Sequence, residues 1–356
     1  MQLGGVRARM DRFFWRRFRW LRLVAAVALA GATGTLSVPA QQARDSGNDL
    51  EVFELRPNFY MIAGAGANIA MQVGPMGAIL VNSGSERMSD QVLAVVKRFS
   101  SKPIRYIINT SADADAVGGN AKLSKAGQSV LSGSVGNPGI TADVIDNGGA
   151  ASILANENVL TRMSGAAGGE SLFPEPSWPT KTYGGKGYSM YLNGEGIQVM
   201  HQPAAHSDGD SIVFFRRNDV IVTGDIWDTT RFPVIDPKKG GSIQGEIAAL
   251  NRLLDLTIPP VPLPWEEDRT LLISGHGRIC DDSDLVEYRD TVTIIRDNIQ
   301  DLINRGMTLP QIQKADPTKA YRARYGSDSG PWTTDMFVEA VYTGLTQRSL
   351  TQEKGK

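Results

Sequence analysis

The chain has 356 residues, 41% of them apolar and 21% charged, with 37 basic against 38 acidic side chains. This globular composition excludes a disordered, collagen-like or coiled-coil chain. One cysteine, Cys280, and three histidines, His201, His206 and His276, exclude a disulfide scaffold and a four-cysteine zinc module, so any metal site must combine at most three imidazoles with carboxylates.

Residues 1–22 carry seven arginines, no lysine and one acid, Asp11, and an apolar run from Leu23 to about Ala32 follows. That order, with small residues at Val38-Pro39-Ala40, predicts a signal peptide over 1–40, a polar linker over 41–50, and export to the periplasm or the medium. The apolar run is shorter than the roughly 20 residues a membrane span takes, so no span is expected once the leader is cleaved. Cleavage removes seven arginines and one aspartate, which takes the formal charge from −1 to −7. A surface of that sign is a poor match for nucleic acid, and none is expected as a partner.

Short apolar runs at Val52–Leu55, Phe59–Ile62, Asn68–Val73 and Ala78–Val81, each bounded by Gly, Pro or Asn, predict a meander of strands. The period then changes: Val92, Leu93, Val95, Val96 and Phe99 stand at helical spacing, and the strand Ile104–Asn109 follows. Residues 164–186 are dense in Gly, Pro and Ser but hold Phe173, Trp178 and Tyr183, the pattern of a long loop or of a flap over a site. Further strands are expected at Gly196–His201, Ser211–Arg216, Val220–Thr223 and Thr270–Ser274. The C-terminal part reads as helical: Leu285, Tyr288, Val292, Ile295, Ile299 and Leu302 recur at steps of three and four before Gly306, Thr308 with Gln311 makes a capping box, and Phe337, Ala340 and Val341 mark a last helix. Strands interspersed with helices argue for a layered α/β domain.

Four apolar strands run into loops that carry potential metal ligands. After Ile104–Asn109 comes Thr110-Ser111-Ala112-Asp113-Ala114-Asp115-Ala116-Val117-Gly118-Gly119-Asn120, and after Gly196–His201 comes Ala205-His206-Ser207-Asp208-Gly209-Asp210. Gly224-Asp225 follows Val220–Thr223, and Gly275-His276-Gly277 follows Leu271–Ser274. Ligands delivered from several strand ends can converge at one sheet edge.

These ordered motifs, together with Ala-His-Ser-Asp-Gly-Asp-Ser-Ile-Val-Phe-Phe at 205–215 and Gly-His-Gly-Arg-Ile-Cys-Asp at 275–281, resemble the secreted hydrolase-like branch of the metallo-β-lactamase superfamily. The resemblance implies an α/β fold, a four-layer αββα sandwich over 51–284, with a C-terminal helical extension over 285–356. It also implies two adjacent cations that lower the pKa of a bridging water, so that hydroxide attacks a carbonyl. Carried over, Asp113, His206 and a bridging Asp225 would form one metal site and Asp115, Asp225 and His276 the other, with Asp115 also in a catalytic role. The family pattern His-x-His-x-Asp-His is altered here: Ser111, Asp113 and Ala116 stand at the histidine positions, and Asn82 stands where a supporting aspartate is usual.

Each site is thereby reduced to three protein ligands, and the donor set shifts toward oxygen, which predicts reduced affinity for a divalent metal such as Zn, Mn or Fe. Two readings follow. One is a weakly active or non-catalytic descendant, a pseudoenzyme that keeps the fold and a pocket for a small-molecule ligand. The other is an active hydrolase of ester, thioester or amide bonds built on a carboxylate-rich site, since three carboxylates and one hydroxide balance two divalent cations.

Other candidates read as structural. His201 is expected to be packed and hydrogen-bonded, Cys280 a buried apolar residue, and Lys238-Lys239 a solvated pair. Asp208 and Asp210 are expected to cap the turn after His206. In the absence of metal, either raised pKa values or nearby donors such as Asn82, Asn120 and Ser111 are expected to relieve the facing carboxylates.

Overall fold

The first sheet grows in strict chain order. β1 (Glu51–Arg56), β2 (Phe59–Ala63), β3 (Ile69–Gly74) and β4 (Gly77–Val81) pair antiparallel through short turns. β5 (Ile104–Ile108), β6 (Ser152–Asn156) and β7 (Lys181–Tyr183) then add in parallel. Parallel addition needs a crossover, and α1 (Ser89–Phe99) supplies it between β4 and β5. The computed structural model describes residues 50–130, 149–166, 168, 170–258 and 269–353; the expected signal peptide and all of the expected linker but Leu50 lie outside them.

A second sheet holds β8 (Gly187–Leu192), β9 (Glu195–Gln202), β10 (Asp210–Phe215), β11 (Val220–Asp228), β12 (Leu271–His276) and β13 (Ile279–Cys280), in the order β13-β12-β11-β10-β9-β8. The β11–β12 pair is parallel and is spanned by α5 (Ile243–Leu256). Four short helices complete the first half of the chain's loops and the C-terminal region: α2 (Ala114–Val117), α3 (Asn120–Lys125), α4 (Glu157–Ser164) and, after α6 (Asp282–Asn304), α7 (Leu309–Ala315). α8 (Arg322–Tyr325) and α9 (Thr334–Glu353) follow.

Strand periodicity sorts the apolar side chains into layers. Ile79 and Val81 face the second sheet, where they meet Val199, Val213, Phe215, Val222 and Ile273. Leu80 faces the other way, with Ile69, Met71 and Ile107, onto Val92 and Val96 of α1. A strand buried on both faces needs an unbroken apolar run, which is why Gly77–Val81 does not alternate with polar residues. On the far side, Ile212, Ile221 and Leu272 pack against Leu250 and Leu253 of α5, Tyr288, Val292, Ile295 and Ile299 of α6, and Phe337 and Val341 of α9. The layers are thus helix, sheet, sheet, helix.

The described residues belong to one compact unit, and the helical residues after 284 share their core with α5. α6 starts in a capping box between Asp281 and Asp284, and Gly306 follows its end with φ 77°. Residues 164–186 are not wholly a loop. Lys181–Tyr183 is the edge strand β7, and Phe173 and Trp178 pack on Ala116, Val117, Val159 and Met163. The Gly and Pro content hid a three-residue strand whose pairing partner, β6, lies on the far side of α4 in sequence. Among the described residues no helix is long and apolar enough to cross a membrane.

Candidate metal centre

The loop after β5 is shaped before it presents any ligand. Asn82 adopts φ 66°, which short polar side chains tolerate, and its Oδ1 accepts hydrogen bonds from Thr110 N and Oγ1, each 3.0 Å. Asn109 and Asn120 exchange hydrogen bonds of 3.1 and 2.8 Å across the same loop. Asn82 thus holds the backbone of Thr110, and Asn120 ties the Asn109 side chain to Ser177 O, rather than serving the carboxylates as expected. Gly224 (φ 56°) precedes Asp225, and a Cβ there would come within 2.4 Å of Thr110 Oγ1, so only glycine lets β11 pass this close.

The predicted residues then gather at one edge of the sandwich. Asp113 is the N-cap position of α2 and Asp115 lies in its first turn; His206 follows β9, Asp225 is in β11, and His276 ends β12. His206 Nε2 lies 2.7 Å from Asp113 Oδ2, and its Nδ1 lies 2.6 Å from Val234 O. A carbonyl only accepts, so Nδ1 is the donor there, the arrangement that fixes the tautomer of a ligating imidazole. Asp113, His206 and Asp225 each offer an atom within 4.8 Å of the others'. Ser111 Oγ donates to Asp225 Oδ2 over 2.7 Å, as expected of it. His276 Nε2 stands 3.1 Å from Asp115 Oδ2 and 3.8 Å from Asp225 Oδ1, so Asp225 lies between the two histidines.

Exposure grades across this cluster. The Asp225 side chain keeps 11% of its surface in contact with solvent and that of Asp115 40%. Burial pushes the Asp225 carboxyl up, and the Asp113 charge adds to the rise. Burial acts the same way on Asp113, but the hydrogen bond and charge of His206 and the charge of Lys239 hold it well below the usual carboxylate range. The counterpart is His206, whose burial is outweighed by its bond to Asp113, so its imidazole is pushed well above the ordinary value.

Two residues at this edge, Lys239 and Glu246, have roles that sequence reasoning missed. Lys239 is not simply solvated: its Nζ lies 3.2 Å from Asp113 Oδ1 and 3.4 Å from Asp236 Oδ2. The Gly240-Gly241 pair behind it lets the chain pass against the backbone of His206. Glu246 of α5 is fully buried, and neither carboxyl oxygen has a hydrogen-bond partner among the described residues. Asp210 does cap its turn, accepting 2.7 Å bonds from Ser207 N and Oγ, yet burial pushes it up to about 6. Asp208 does otherwise than expected, since its carboxylate pairs with Arg162 at 2.5 Å. Outside the cluster, His201 Nε2 is 2.7 Å from Asp208 O, a structural role as expected, and Cys280 is buried with its thiol pushed up to about 12.

A cavity of about 780 Å³ opens beside Asp115, walled by Glu86, Arg87, Lys122 and Phe173. That is room for a small molecule. A larger one, about 980 Å³, lies around Arg56, Asn193, Phe214 and Arg217 and includes none of the predicted site residues.

Two solved structures share the arrangement of sheets and helices. A metallo-beta-lactamase from Pontibacter korlensis aligns with 69% of this chain and 99% of its own at 13% identity and a TM-score of 0.50. The fold is that of the metallo-β-lactamases. The stereoselective inverting sec-alkylsulfatase Pisa1 from Pseudomonas sp. also has this fold, aligning with 83% of the chain at 14% identity and a TM-score of 0.56. The chain spans half the length of that alkylsulfatase. No protein-family model and no curated protein matches the sequence. Within the metallo-β-lactamase fold, the cluster of Asp113, His206 and Asp225 is a candidate metal site at the ends of the strands.

Proposed function

We propose that this chain is a metallo-β-lactamase-fold protein of weak or absent hydrolytic activity, in which hydrogen bonds between side chains stand in for a dinuclear metal centre and the neighbouring cavity binds a small molecule. The supporting observation is the donor set itself: the three positions where the resembling pattern has histidines hold Ser111, Asp113 and Ala116, and Ser111 Oγ is a hydrogen-bond donor to Asp225 Oδ2 over 2.7 Å. Ser111, Asp113 and Ala116 supply no imidazole, and the buried Ala116 supplies no donor of any kind. This donor set does not fit a tight dinuclear zinc centre. Elemental analysis of the purified mature protein after mild dialysis should find well under one equivalent of metal per chain; near-stoichiometric Mn, Fe or Zn would sink this reading.

A second reading is favoured by the convergence of Asp113, His206 and Asp225 within 4.8 Å. These residues would hold one cation and Asp115, Asp225 and His276 another, and the preponderance of oxygen donors would suit Mn or Fe over Zn. Such a centre, when loaded, supplies an activated water for hydrolysis of an ester, thioester or amide. Asp115, beside the cavity, would then be the acid nearest the substrate. Turnover of a panel of such esters that tracks added Mn or Fe would replace the first reading with this one.

Export to the periplasm or the medium belongs to the same proposal, on the strength of the arginine-rich, then apolar, N-terminal segment. N-terminal sequencing of the exported protein should begin at Gln41; recovery of the chain with its arginine-rich segment intact would argue for an anchor.

A further inference from the structure

The geometry points to Lys239 as an internal counter-ion: its ammonium neutralises Asp113 from within the chain and thereby excludes a divalent cation from the Asp113, His206 and Asp225 cluster. This inference rests on the reading that the cluster works without a metal centre, and it assigns that behaviour to one residue.

Both oxygens of Asp113 are engaged by nitrogen, Oδ2 by His206 at 2.7 Å and Oδ1 by Lys239 Nζ at 3.2 Å. The lysine is not a chance visitor. Its carbonyl accepts hydrogen bonds from Asp208 N at 2.8 Å and from Arg162 at 3.1 Å. The 3-10 turn that carries it, Pro237–Lys239, is capped by the Asp236 side chain and closes on Gly240 with φ 82°. At Gly241 a Cβ would come within 2.2 Å of His206 O, so the chain on the far side of Lys239 is pressed against the backbone of the histidine it faces across Asp113. Asp236 lies 3.4 Å from Nζ and shares the ammonium, which orients it toward the cluster.

A divalent ion bound by Asp113 Oδ1 or Oδ2 would sit a few ångströms from this fixed positive charge. Like charges a few ångströms apart in a half-buried site repel, and solvent screens them less there than at the open surface. With Oδ2 held by His206 and Oδ1 by the ammonium, an ion that binds Asp113 must displace one of them. The tethered ammonium has the advantage of being held in place by the fold, whereas a free ion loses translational freedom on binding.

The test titrates the full mature chain with Mn²⁺ by calorimetry, comparing wild type with Lys239→Met, Lys239→Gln and Lys239→Arg, after thermal melts have identified the folded variants. Lys239→Met should gain Mn²⁺ affinity on the order of 10- to 100-fold, as expected for removal of one nearby positive charge. Lys239→Gln reports the same gain should the Met variant fail to fold, and Lys239→Arg should bind as weakly as wild type. Adding Asp113→Asn to Lys239→Met should abolish the gain and so locate it. Equal weak binding by wild type and both neutral variants would overturn the counter-ion role while leaving the metal-free reading intact. A gain that survives Asp113→Asn would also overturn it, since the ion would then sit elsewhere. Tight stoichiometric Mn²⁺ binding by wild type would instead overturn the metal-free reading itself, and this inference with it.

Discussion

The two halves of the cluster solve one electrostatic problem differently. Around Asp113 the protein neutralises a half-buried carboxylate with its own groups, the buried His206 and the partly exposed Lys239. Around Asp115 a single histidine, His276, stands at 3.1 Å and the carboxylate stays open to solvent and to the adjoining cavity. The difference teaches where energy resides: a charge away from water depends on its protein partners, and a charge left in water does not.

The sharpest break in this comparison is to rebuild the missing imidazoles. Ser111→His, Asp113→His and Ala116→His together should raise zinc affinity by about a thousandfold or more, read by competition with a chelator, since whole ligands are added where lesser changes already shift affinity about 10–100-fold. No gain in the folded triple variant would show that the strand-end residues do not correspond to metal ligands. Next in size, His206→Ala should destabilise the fold by about 2–3 kcal/mol in urea unfolding, because Asp113 loses a charged, buried partner. A cost below that of His276→Ala would erase the distinction between the halves.

Behind the Asp113 half lies Glu246, whose carboxyl is pushed well above the usual value of 4.5 by burial and by the charge of Asp210. The folded chain therefore holds a proton that the unfolded chain releases near its ordinary pKa. Stability should fall as pH rises from about 4.5 toward the folded value, where the unfolded state binds fewer protons than the native one. Glu246→Gln should flatten that slope and stabilise the protein by about 1–2 kcal/mol at neutral pH, measured as a rise in the urea midpoint. An unchanged slope would mean another buried acid, Asp210 foremost, carries it. The smallest effect is expected from His276→Ala, under about 1 kcal/mol in the same measurement, because water can take its place beside Asp115.

Much of this was readable from sequence, for identifiable reasons. Strands buried on both faces, such as Gly77–Val81, announce themselves as apolar runs, and α6 announces itself by its three-and-four spacing and its following glycine. The ligand candidates were legible because each follows directly on an apolar strand, and strand ends of one sheet meet at one edge. What stayed hidden depends on distant pairing. β7 has three residues and exists because β6 offers it a ladder. Lys239 lies 126 positions from Asp113, and nothing local separates it from Lys238, which reads as its equal.

By itself, then, the sequence determined most strands of the two sheets, the helices before β5 and after β13, and which carboxylates and imidazoles follow the strands, since these follow from local periodicity and from polar residues placed after apolar runs; the αββα layering was what the family resemblance implied. Only the tertiary structure decided how those groups are charged and paired: His206 and Lys239 on Asp113, Ser111 on Asp225, and Glu246 with no hydrogen-bond partner among the described residues. Pairing and burial are properties of distances between remote segments, and those distances exist only once the two sheets have closed on each other.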